Sequence, residues 1–180
     1  MAVTGEWMEL PPSLEARAPL KLLGELGEMT LDHVGIAVRD VDEAVARFGR
    51  EIGIHDWMRS TFATTSVYKG EDQRIGGHVA TASMGFLNIE LVQPTDGAWT
   101  PVDVLKAKGE GLYHLGFRVP DVAESSRRMK DAGMRVSLLG THGETPLFIY
   151  SESDDLFGVC IELVGPRMPA GMITAAVPIP

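Results

Sequence analysis

Two stretches of this chain are one stretch written twice. Leu31–Arg47 laid over Leu112–Arg128, an offset of 81, gives identities at Leu31/Leu112, His33/His114, Gly35/Gly116, Val38/Val119, Asp40/Asp121, Val41/Val122, Glu43/Glu124 and Arg47/Arg128, which is 8 of 17 positions. A second match follows in each half. Ile89-Glu90-Leu91-Val92 is repeated as Ile161-Glu162-Leu163-Val164, and Pro94 is matched by Pro166, at an offset of 72. The second copy is therefore nine residues shorter between its anchors, and a shortened loop accounts for that. A chain built this way folds as two equivalent units that share a core.

Both copies read alike. Leu31–Val38 alternates and is rich in β-branched residues, so it is a strand. Asp40 is placed to cap a helix, with Glu43 three residues later as in a capping box. Val41, Ala44, Val45 and Phe48 recur at helical spacing, and Gly53 ends the helix. Trp57–Lys69, His78–Met84 and Leu87–Gln93 follow as strands. The second copy gives strand Leu112–Val119, helix Asp121–Ala132 closed by Gly133, and strands near Arg135–Leu139, Leu147–Ser151 and Gly158–Val164. Residues 30–94 and 111–166 are thus the expected βαβββ modules. Residues 95–110 link them, with a short helix at Pro101–Lys108. Residues 1–29 form an extension with one short helix, and 167–180 a proline-rich tail.

Alternation then sorts the side chains by face. Val34, Ile36 and Val38 share the aliphatic face of the first strand, leaving His33, Gly35 and Ala37 opposite. Tyr113, Leu115, Phe117 and Val119 leave His114, Gly116 and Arg118 opposite. Ile89 and Leu91 set Glu90 apart, as Ile161 and Leu163 set Glu162 apart. A lone strand histidine is usually a satisfied structural residue, and an Ile-Glu-Leu triplet is common. Recurrence at equivalent places in two repeats is what makes the four a site. A pseudo-twofold relation brings two imidazoles and two carboxylates together inside a curved sheet. Inward carboxylates need a compensating charge. One divalent ion (Co, Ni, Zn, Mn or Fe) supplies it, with His33, Glu90, His114 and Glu162 as ligands. The expected fold is α+β: two tandem βαβββ modules forming a curved, open, barrel-like mixed sheet around a metal site.

Composition narrows the partners. The 180 residues are 44% hydrophobic and 23% charged, with net charge −9. That balance argues against nucleic acid and against anionic membrane, which require a basic surface. No apolar run is long enough to span a bilayer. The N-terminus has no basic region followed by an apolar run, so no secretory signal is expected. Cys160 is the single cysteine, so no intrachain disulfide forms, and the expected location is the cytoplasm.

Four segments carry a family resemblance. They are LDHVGIAVRDVDEAV at Leu31–Val45, NIELVQP at Asn88–Pro94, KGEGLYHLGFRVPDV at Lys108–Val122 and GTHG at Gly140–Gly143. With the paired βαβββ units, they resemble the vicinal oxygen chelate superfamily, which includes glyoxalase I, extradiol dioxygenases and fosfomycin and bleomycin resistance proteins. Within it the likeness is to the methylmalonyl-CoA epimerases. The resemblance implies a divalent-metal-dependent isomerase that abstracts and returns an α-proton of a chelated acyl-CoA-like substrate. It implies metal ligands at His33, Glu90, His114 and Glu162, and a homodimer. Glu162 is the first candidate base and Glu90 its partner for the opposite face. Arg118, His142 and His78 are candidate substrate contacts, and His78 is also an alternative base. The other readings are a salt bridge for Arg118, a solvated turn histidine for His142 and an exposed strand histidine for His78. One departure stands out. Gly76-Gly77-His78-Val79-Ala80-Thr81 has no glutamate where some bacterial epimerases carry a base, and His78 is the titratable group nearest that place. The quartet equally resembles that of glyoxalase I, a lyase. A fourth ligand counts against an Fe(II) dioxygenase, and retention of the quartet counts against a metal-free binding or resistance protein.

Overall fold

The structure, a computed structural model, describes residues 29–142, 145–151 and 158–166. The expected N-terminal extension up to residue 28 and the tail beyond Pro166 lie outside the described residues.

The first module runs β1 (Thr30–Ala37), α1 (Val41–Ile52), β2 (Met58–Tyr68), β3 (Glu71–Ser83) and β4 (Asn88–Asp96). Helix α2 (Thr100–Ala107) lies in the linker. The second module runs β5 (Gly111–Arg118), α3 (Val122–Asp131), β6 (Val136–His142), β7 (Thr145–Ser151) and β8 (Cys160–Val164). Local chemistry sets these limits. Asp40 accepts from the amides of Asp42 and Glu43 at the start of α1, and Gly53 ends it at φ 83°. Asp121 caps α3 in the same way, accepting from the Glu124 amide. The β2–β3 hairpin turns on Lys69 and Gly70, at φ 51° and 85°. Two positive φ angles in a two-residue loop suit the right-handed twist of the flanking strands.

Strand order explains how the modules meet. In each one the first strand lies parallel to the last, giving β1-β4-β3-β2 and β5-β8-β7-β6. The halves join along two antiparallel seams, a long one between β1 and β5 and a short one between β2 and β6. The eight strands therefore form the curved, barrel-like mixed sheet that the sequence suggested, and they close it fully. Closure is completed at the end of β2, where Val67 and Tyr68 pair with Leu139 and Leu138.

Alternation places apolar groups on both sides of this wall. Outside, Val38, Val41, Ala80, Ile89 and Leu91 are buried with Ala44, Val45 and Phe48 of α1. The equivalent outer cluster, Val119, Val122, Met129, Ile149 and Leu163, gathers around α3. Inside, Ala37, Tyr68, Ile75, Val92, Tyr113, Leu138, Tyr150 and Cys160 cluster with Trp99, and Val102, Val104 and Leu105 of α2 pack onto them. Among the described residues, no helix is long and apolar enough to cross a membrane.

Leu91 is fully buried in the outer cluster beneath α1. Leu91→Ala should destabilise the protein by about 2–5 kcal/mol through lost burial and a residual cavity. Chemical denaturation of the variant against the parent chain measures it.

Candidate metal centre

The long seam between β1 and β5 builds the site. Its register sets His33 opposite Gly116 and His114 opposite Gly35. A Cβ on Gly35 would fall 1.9 Å from the His114 ring, and one on Gly116 would fall 2.1 Å from the His33 ring. Each imidazole occupies the space that the other module's glycine leaves. The parallel pairings add the carboxylates: Gly35 is in register with Glu90, and Gly116 with Glu162. Each histidine thus reaches the glutamate of the other module.

One ligand atom from each of His33, Glu90, His114 and Glu162 lies within 4.8 Å of the other three. His33 Nε2 is 2.8 Å from His114 Nε2 and 2.7 Å from Glu162 Oε2. Glu162 Oε2 is also 3.2 Å from His114 Nε2. Glu90 Oε2 stands further off, at 3.8 Å from His33 and 3.6 Å from His114. The His33, His114 and Glu162 side chains are almost wholly buried, whereas that of Glu90 keeps 24% of its exposure. Glu90 is therefore the member that solvent or a substrate reaches first.

The group fits a metal ion. The His33 Nδ1 side faces Asp32 Oδ2 at 3.1 Å, so in the neutral ring Nδ1 carries the proton and the Nε2 lone pair points at the cluster. His114 Nδ1 is buried with no hydrogen-bond partner among the described residues. Two ring nitrogens and two carboxylates facing one point form a donor set suited to a borderline divalent ion.

Charge divides the cluster unevenly. Burial disfavours protonated His33, but the hydrogen bond and charge of Glu162, with Glu90 and Asp32, outweigh it and raise its pKa to about 9. Burial pushes Glu162 up as well, yet His114 and His33 overcome it and hold the carboxyl well below its usual range. Glu90 moves the other way, raised by burial and by the charge of Glu162. The Tyr113 and Tyr150 hydroxyls, 3.4 Å apart, are raised well above 10, first by burial and then by the glutamate charges. Both rings make edge contacts with His114, at 4.4 and 5.3 Å between centroids.

The other sequence candidates are placed elsewhere. Arg118 forms the salt bridge, with Nε 2.9 Å and Nη2 2.8 Å from Asp32 Oδ1, and Nη1 donates to the Gly165 carbonyl. His78 pairs with Thr61 and hydrogen-bonds its hydroxyl at 3.0 Å. It shares the face of Ala80, which lies in the outer cluster, while Thr81 pairs with Glu90. His78 is thus on the outside of the barrel, because alternation along β3 puts it opposite Thr81 in phase. His142 is the last residue of β6, and its side chain lies outside the described residues. Sequence reasoning missed Asp32, since strict alternation points it away from His33.

Comparison with known proteins agrees with this fold. Residues 32–150 match the Glyoxalase/Bleomycin resistance protein/Dioxygenase superfamily, and the chain belongs to that superfamily. It is 29% identical over 140 residues to an ethylmalonyl-CoA/methylmalonyl-CoA epimerase of Cereibacter sphaeroides, covering 74% of this chain and 95% of that one. It is 28% identical over 142 residues to the uncharacterized protein YqjC of Bacillus subtilis, covering 76% and 92%. Among solved structures it is similar to methylmalonyl-CoA epimerase from Mycobacterium tuberculosis, with TM-score 0.53, 26% identity and coverage of 77% and 88%.

Two outcomes are expected. Gly116→Ala should displace the His33 ring, destabilising the protein by about 1–3 kcal/mol through overpacking and shifting the His33 imidazole resonances in an NMR titration. In metal-free protein the His33 contribution is fully present below its unfolded pKa of 6.5 and is lost as pH rises through about 9. Urea denaturation should show stability falling across that window by a few kcal/mol. The same scan on His33→Gln should be flatter.

Proposed function

We propose that this chain is a metal-dependent epimerase that removes and returns the α-proton of an acyl-CoA thioester resembling methylmalonyl-CoA. The observation that carries the reading is the convergence of two imidazoles and two carboxylates inside the barrel, within 4.8 Å of one another. It occurs in a chain whose similarity to an ethylmalonyl-CoA/methylmalonyl-CoA epimerase extends over nearly all of that protein.

In this reading His33, His114, Glu162 and Glu90 hold the ion. When bound, the ion supplies a Lewis acid for a carbonyl oxygen on which negative charge grows. The chain's own residues do the rest. His33 and His114 hold Glu162 as a carboxylate, so it balances positive charge in the site. Glu90 has no hydrogen bond to either imidazole and is the most exposed of the four, so it is free to accept the α-proton and give it back. Epimerisation needs a group at the second face as well, and Glu162, the repeat partner of Glu90, is the other carboxylate of the cluster. The aromatic floor of Tyr113, Tyr150 and Phe148 excludes water beneath the cluster.

Purified protein should contain a stoichiometric divalent ion by elemental analysis, and should exchange the α-proton of methylmalonyl-CoA for solvent deuterium. Glu90→Gln should lower exchange by about 100- to 10,000-fold, the usual contribution of general acid–base catalysis. Glu162→Gln should lose most of the metal. Bound metal with no exchange, together with turnover of a hemithioacetal, would replace the epimerase by a glyoxalase-type lyase.

A further inference from the structure

The two modules differ at the residue just before each histidine. Along β1 and β5 the register slips by one residue twice, between Leu31 and His33 and between Gly35 and Ile36. The first slip leaves Asp32 as the extra residue in β1. The second leaves Tyr113 as the extra residue in β5. These positions are equivalent in the repeat, each preceding its histidine. A bulge re-aims the side chain it carries. In β1 it turns Asp32 toward its own neighbour, so that its Oδ2 meets His33 Nδ1 at 3.1 Å. In β5 the same device turns a phenol inward, and His114 Nδ1 has no partner among the described residues.

Asp32 is itself held. Its side chain is 12% exposed, and Arg118 reaches across from β5 with two nitrogens on Oδ1. Asn88 of β4 donates to its backbone carbonyl at 3.0 Å. Arg118 in turn is tied to the Gly165 carbonyl, just beyond β8. A continuous set of contacts therefore runs from Gly165 through Arg118 and Asp32 to His33, and on to Glu162. It ties β1, β5 and the β8 end together at one imidazole.

Resting on the metal-site reading above, we propose that Asp32, clamped by Arg118, is the positioning residue of the centre. It fixes the proton of His33 on Nδ1 and aims Nε2 at the ion, making His33 the anchored ligand. His114, whose Nδ1 has no partner among the described residues and whose ring packs on Tyr113 and Tyr150, is the adjustable one. Arg118 acts through Asp32 and does not engage substrate.

The test is metal affinity rather than turnover. Full-length protein is stripped with chelator and titrated with Co²⁺ against a competing chelator. Asp32→Ala should weaken binding by about 10- to 100-fold, as loss of an imidazole's outer partner does. Asp32→Asn keeps an oxygen that accepts from Nδ1–H, and should recover part of that loss. Arg118→Gln should weaken binding in the same direction by less. Tyr113→Phe, at the equivalent place in the other module, should leave affinity unchanged. The visible bands of bound Co²⁺ should shift in the Asp32 variants and not in Tyr113→Phe. If Asp32→Ala does not fold, Asp32→Asn and Arg118→Gln carry the test. Co²⁺ affinity and spectrum unchanged in the Asp32 variants, with the parent protein binding normally, would overturn the proposal. A parent protein that binds no divalent ion would overturn the metal reading, and this inference with it.

Discussion

The reciprocal seating of two histidines over two glycines holds the molecule's two halves in register. His33 fills the space above Gly116, and His114 the space above Gly35. A slip of one residue along β1 and β5 would turn both rings to the outer face and drive a side chain into each gap. The seam is therefore specified by the same four positions that bring the donors together. The parallel pairings then follow, because Glu90 and Glu162 lie beside those glycines. Once this contact forms, the site needs only β4 and β8, each paired within its own module, to complete it.

Closure of the barrel extends the same logic. The inner surface carries two kinds of layer. One is the polar cluster. The other is the aromatic and aliphatic filling of Tyr68, Ile75, Tyr113, Leu138 and Tyr150, with Trp99 and α2 packed onto it. The apolar layer removes water from one side of the imidazoles and carboxylates, which strengthens every charge interaction among them. It also explains why burial opposes charge at His33, Glu90 and Glu162 alike, and why only mutual pairing restores it at His33 and Glu162.

Much of this was legible in the chain itself. Duplication showed the two modules, the capping residues Asp40 and Asp121 showed where the helices start, and alternation placed the four donors on one face. What stayed hidden depends on partners distant in sequence. The cross-over of each histidine onto the other module's glycine follows from antiparallel pairing across the pseudo-twofold, which periodicity within one strand does not encode. Asp32 was lost for the same reason. Its orientation comes from a register slip against Phe117 and Gly116, and strict alternation gives the opposite answer. The two readings of His78 were left open because Gly76-Gly77-His78-Val79-Ala80-Thr81 has no apolar phase sharp enough to show which side faces in, and the structure favours the exposed strand histidine.

Duplication supplies a symmetric donor set, but the proposed proton transfer at one carbon calls for unequal partners. The structure shows where the symmetry is broken. Glu162 sits deep and is held by both imidazoles, while Glu90 stands further off and partly open. His33 has an acid behind it and His114 has two aromatic rings. Both differences arise at positions where the repeats are not identical, above all Asp32 against Tyr113. A pair of like carboxylates in one apolar site cannot both be charged without cost, so any bias in their surroundings pushes their proton affinities apart. One carboxylate then balances the positive charge and the other is left to carry a proton.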